Sequence, residues 1–174
     1  MIPRQAYSAV VALACVGLWC QPSVAGGAVP KVPQDLQPPA GEQLQLRFSA
    51  KGVQIYQCQS GEWKFQAPEA TLFDHHGKAA GKHYAGPTWE ASDGSTVVGE
   101  LKAKADSPDP QAIPWLLLHA KSNSGQWLFS TISSIQRLQT HGGKAPSQSC
   151  GAANADRSVR VPYRANYYFY SAKP

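Results

Sequence analysis

Along most of the chain, apolar and polar positions alternate with a period of two, the pattern of a strand with one buried face. Leu44, Leu46 and Phe48 alternate with Gln43, Gln45 and Arg47, and Val53 and Ile55 with Gln54 and Tyr56. Trp63 and Phe65 follow the same rule, and Val97, Leu101 and Ala103 oppose Glu100, Lys102 and Lys104. Trp127, Phe129 and Thr131 resume it, and a change of phase at Ser133-Ser134 predicts a bulge before Ile135. The last run is the longest: Val159, Val161, Tyr163, Ala165, Tyr167 and Phe169 share one face. Pro162 lies within it and cannot donate to a ladder, which predicts an edge strand or a break.

Residues 113–119 are instead unbroken and apolar after Pro114, predicting a strand buried on both faces. Between the runs lie Lys51-Gly52, Ser60-Gly61, His76-Gly77 and Asp93-Gly94, where glycine accepts a tight reversal. No segment carries the period and caps of an amphipathic helix. Short strands with Gly-rich turns predict a single all-β domain over residues 42–174, a sandwich or partly closed barrel with long loops.

The N-terminus departs from this pattern. Arg4 is followed by a nearly unbroken apolar or small run over residues 6–20, ending at Ser23-Val24-Ala25. Those are the three parts of a secretory signal peptide, cleaved after Ala25. The run falls short of the roughly 20 apolar residues of a membrane span, so no transmembrane segment is expected in the mature chain. Residues 26–41 hold Pro30, Pro33, Pro38 and Pro39, predicting an extended leader. Cleavage removes Cys15 and Cys20 and leaves Cys58 and Cys150, an even pair that reads as a disulfide in a periplasmic or extracellular setting.

The formal net charge is +5, and residues 157–174 hold Arg157, Arg160, Arg164 and Lys173 without an acid. A basic strand edge discourages edge-to-edge pairing, whereas a nucleic-acid partner would demand a denser patch, so none is expected. Phosphate-loop, dinucleotide-binding, zinc-protease and serine-hydrolase motifs are all missing from the sequence, and no cofactor is implied.

The densest polar and aromatic stretch runs over residues 83–95. Trp89 offers a flat apolar face, His83 and Glu90 a titratable pair, and Tyr84 a hydroxyl. The structural alternative has Gly86-Pro87 turning the chain, Trp89 filling the core and Asp93-Gly94-Ser95 closing a hairpin. Trp115 could likewise line a cavity or fill a buried strand. His75 and His76 follow Asp74 in what reads as an exposed turn, where adjacent side chains on an extended chain point apart, so no metal site is expected from them.

Several blocks taken in order resemble the family known as domain of unknown function 3455, secreted or periplasmic proteins of bacteria and filamentous fungi. The blocks are Gly52-Val53-Gln54-Ile55-Tyr56-Gln57-Cys58, residues 81–90, Ile113-Pro114-Trp115-Leu116-Leu117, Ile135-Gln136-Arg137, residues 140–146 and residues 161–170. The resemblance implies no particular activity. The malate dehydrogenase label carried by some members conflicts with this sequence, which has neither a nucleotide fingerprint nor a βαβ pattern. It supports the Cys58–Cys150 bridge and ranks His83 above the other histidines. The functional expectation is a binding module for a small molecule or saccharide, with His83, Tyr84, Trp89, Glu90 and Trp115 as ligand-binding candidates. The alternatives are an enzyme using His83 with Glu90 or Asp93 as acid and base, and a structural or self-associating envelope protein.

Overall fold

A computed structural model describes residues 29–151 and 155–173; the signal peptide expected over residues 1–25 lies outside them. The chain forms eight strands: β1 (Glu42–Gln59), β2 (Glu62–Phe73), β3 (Ala79–Tyr84), β4 (Thr88–Ala91), β5 (Thr96–Ala105), β6 (Trp115–Ser124), β7 (Ser134–Gly142) and β8 (Ser158–Ala172). Each pairs antiparallel with its neighbour in sequence, and β8 returns to pair with β1, closing the sheet into a ring. The domain is therefore all-β, as the alternation predicts. The alternation works because inward positions bury Phe48, Leu72, Trp89, Val97, Tyr167 and Phe169 in one core.

The ring is uneven. β2 pairs with β3 only from Ala70 to Phe73, and β5 pairs with β4 only from Thr96 to Val98. The β3–β4 hairpin thus fills the wall at one end, and beyond its turn residues 62–69 of β2 and 99–105 of β5 face each other without a strand between them. Lys64, Lys102 and Lys104 sit along these bare edges and are exposed, a placement that discourages pairing with another chain.

A second apolar cluster covers the outside of the barrel. Leu36, Trp115, Leu117, Leu138, Tyr168 and Tyr170 pack together, with Val29 and Val32 against them. The Pro-rich leader is therefore part of the folded unit, with a 3-10 turn at Gln34–Leu36 that seats Leu36 fully buried. Gln136 fixes it there, donating from Nε2 to the Leu36 carbonyl at 2.5 Å and accepting from the Tyr170 hydroxyl at 2.7 Å. This cover explains why β6 is buried on both faces: Leu118 belongs to the inner core, Trp115 and Leu117 to the outer one.

Four local expectations are corrected. In β1 beyond Gly52, Gln54 and Tyr56 are the buried positions while Val53 and Ile55 are half-buried, and the Tyr56 hydroxyl is satisfied by the Gly143 carbonyl at 2.6 Å. Residues 125–133 form a turn, not a strand, with Trp127 exposed and only Phe129 and Ile132 inserted into the core; β7 begins at Ser134 without a preceding bulge. In β5, register shifts near Gly99 and Ala103 turn Ala103 toward the outer cluster while Val97 stays inside, so the two do not share a face. Pro162 pairs with Val53 of β1 in mid-strand, tolerated because β7 ends its ladder at Gly142 opposite Tyr163.

The two ends of the ring are fastened differently. At one, Asp93 accepts from the Ser95 hydroxyl at 2.6 Å and the Leu128 amide at 3.0 Å, locking the β4–β5 turn to the β6–β7 turn. At the other, Cys58 and Cys150 form a disulfide that ties the β7–β8 connection to β1.

Candidate functional site

The β3–β4 hairpin positions the central pair. Gly86, at φ 111°, lets the chain reverse, and the Thr88 hydroxyl bonds the Ala85 carbonyl at 2.9 Å to hold the turn. His83 and Trp89 are direct cross-strand partners with side chains inside the barrel. Their rings stack at 4.4 Å and 9°, and Tyr167 meets both edge-on at 5.1 and 5.4 Å.

His83 Nδ1 donates to the Thr88 carbonyl at 2.8 Å, which leaves Nε2 as the ring's acceptor. Burial depresses its pKa to about 3; the Thr88 bond opposes this and the nearby Arg137 guanidinium adds to it. The ring is a neutral imidazole at any physiological pH.

These residues floor a cavity of about 470 Å³ that opens through the unfilled wall between β2 and β5. Leu116, Leu118 and Pro87 supply apolar walls, and Phe65 and Leu101, 52% and 54% exposed, stand at the rim. Gly99 lies beneath the indole: a β-carbon there would stand 2.9 Å from Trp89 and 3.1 Å from Leu118. Arg137 reaches in from β7, where it is flanked by Leu116 and Tyr167 on the adjoining strands. Its Nε and Nη2 donate to the Pro114 carbonyl at 3.2 and 2.9 Å.

The predicted residues divide between two faces. His83 and Trp89 belong to the cavity. Tyr84 and Glu90 lie on the outer face, where the Tyr84 hydroxyl donates to Glu90 at 3.0 Å. Trp115 packs under the leader, on the far side of β6. Asp93 is spent on the turn. The acid–base pairing of His83 with Glu90 or Asp93 is therefore not assembled, because neighbouring residues of a strand point to opposite faces. His75 and His76 sit in the exposed turn expected for them, and their rings approach to 3.8 Å.

Arg137, Tyr167, Gly99, Phe65 and Leu101 were not among the predicted site residues. Arg137 carried a usable signal: it shares the phase of Ile135, so the strand that buries Ile135 must also turn a cation inward.

Fold and cavity together define an eight-stranded antiparallel barrel with a lateral opening. The chain belongs to the family described as "Protein of unknown function (DUF3455)", which matches residues 39–171. No curated protein and no solved structure matches it.

Proposed function

We propose that this protein binds a small molecule in the lateral cavity and does so outside the cytoplasm. The observation that carries the reading is the missing wall between β2 and β5, which leaves a cavity above the buried His83, Trp89 and Tyr167 open to the side where a complete barrel would have sealed it. A volume of about 470 Å³ falls within the range of ligand pockets, roughly 300 to 1,000 Å³. The disulfide and the signal-like N-terminal run support an oxidising compartment.

A saccharide is the weaker ligand class. Sugars stack on open indole faces, whereas Trp89 is covered by His83 and is 1% exposed. For catalysis, no hydrogen bond among the described residues joins His83 to a carboxylate, and the cavity's acid, Glu100, is exposed.

The test uses N-phenyl-1-naphthylamine, an uncharged probe that fluoresces in apolar surroundings. The folded protein should bind it saturably with one site, and Leu116→Trp, which fills the cavity from a half-buried position, should abolish binding while leaving the thermal midpoint within a few degrees. No saturable binding, or binding unaffected by Leu116→Trp, overturns the proposal.

A further inference from the structure

The cavity contains a cation without a counter-charge. Among the described residues no ion pair involves Arg137. Its hydrogen-bond partner is the neutral Pro114 carbonyl, and Tyr167 is its cross-strand neighbour on β8. A guanidinium has five N–H donors, and a half-buried one that is not paired keeps part of its desolvation cost. Nothing on the wall offsets that charge. Among the cavity's described residues Glu100 is the single acid, and it is exposed at the rim with Lys121. His83 is neutral, and the buried indole N–H of Trp89 meets no acceptor. The floor thus carries positive potential, and Phe65 and Leu101 give the entrance apolar surface beside the opposed charges of Glu100 and Lys121.

We infer that the cavity selects a small aromatic or apolar molecule with one anionic head, a carboxylate or sulfonate, that pairs with Arg137 while the body lies between Phe65, Leu101 and Leu118. This rests on the binding reading above and names its ligand class. The planar fork of Arg137 suits a two-oxygen head better than an ammonium would.

The experiment compares two probes of the same ring system: 8-anilinonaphthalene-1-sulfonate, which is anionic, and uncharged N-phenyl-1-naphthylamine. The disulfide-bonded protein should bind the sulfonate at least about tenfold more tightly, a preference equal to about 1.4 kcal/mol. Arg137→Met should erase the preference while retaining the neutral probe, Arg137→Lys should keep only part of it, and Lys121→Met should leave it intact. Should Arg137→Met not fold, the wild-type ratio and Arg137→Lys decide alone. Equal affinity for both probes in the wild type, or a preference that follows Lys121 instead of Arg137, overturns the anionic head but leaves the cavity as a binding site. Failure of both probes to bind overturns the binding reading itself, and this inference with it.

Discussion

His83 and Trp89, opposite one another on β3 and β4, stack inside the barrel at 4.4 Å with their planes 9° apart. Burial of the ring, and not the stack itself, disfavours its charged form and keeps the His83 pKa near 3. In the unfolded chain it returns to about 6.5.

The pH dependence follows from that difference. Below pH 6.5 the unfolded chain gains a proton at His83 that the folded chain does not, so acidification favours unfolding. This one group should lower stability by about 1.4 kcal/mol per pH unit between pH 6 and 4, and it contributes no slope above pH 7. Urea titrations of the wild type and His83→Gln over this range test it: the difference between the two should shrink as pH falls. Parallel curves would mean that His83 is protonated in the folded state.

The disulfide closes a loop across a sequence separation of 92 residues. Constraining so long a loop in the unfolded state is worth on the order of 4 to 5 kcal/mol. Reduction should lower the unfolding free energy by about that amount, read from denaturant curves with and without a thiol reductant. Because Cys150 also donates its amide to the Gly61 carbonyl, hydrogen exchange should quicken first around residues 58–61 and 150. A change below about 1 kcal/mol would show that this connection is held without the bridge.

Period-two alternation finds β1, β2, β5 and β8, whose inward residues share one barrel interior, but it also marks residues 127–131, which form a turn. It identifies the inward face of β8 and of β1 at Phe48, but inverts β1 beyond Gly52, where Gln54 and Tyr56 are buried and Val53 and Ile55 only half-buried; His83 and Trp89 fall in one densely polar and aromatic stretch. The ring closure is beyond its reach. That depends on β8 meeting β1 along nearly its whole length, and no local pattern encodes which strand ends a sheet. The cavity depends on hairpin length: β3 and β4 are too short to cover residues 62–69 and 99–105. Arg137 was legible only in phase with Ile135. Tyr84 and Glu90, grouped with His83 by proximity in sequence, fall outside because alternation sends neighbours to opposite faces.

The leader gives a prediction of its own. Leu36 is fully buried against the outer cluster, although it precedes the first strand. Leu36→Ala should cost about 2 to 5 kcal/mol, the range for truncating a buried leucine, and should expose Trp115, whose emission would shift to the red. A cost under 1 kcal/mol, with no spectral change, would show the leader to be detachable from the barrel.

Two glycines separate backbone crowding from side-chain crowding. A β-carbon on Gly52 would stand 2.1 Å from the Glu69 carbonyl oxygen and 2.4 Å from the Ala70 α-carbon, both main-chain atoms in the β1–β2 ladder. A β-carbon on Gly99 would meet side chains instead, Trp89 at 2.9 Å and Leu118 at 3.1 Å. Neither glycine has the positive φ that would add backbone strain. Gly99→Ala can relax by moving the indole a few tenths of an ångström, at about 1 to 3 kcal/mol, the usual cost of overpacking. Gly52→Ala has no such escape, since relief means parting β1 from β2. We expect Gly99→Ala to fold with a lowered midpoint and weakened probe binding, the indole having moved into the cavity. Gly52→Ala should be destabilised beyond that range or fail to accumulate as folded protein. Thermal unfolding of the two variants side by side decides the matter, and equal midpoints would refute the distinction.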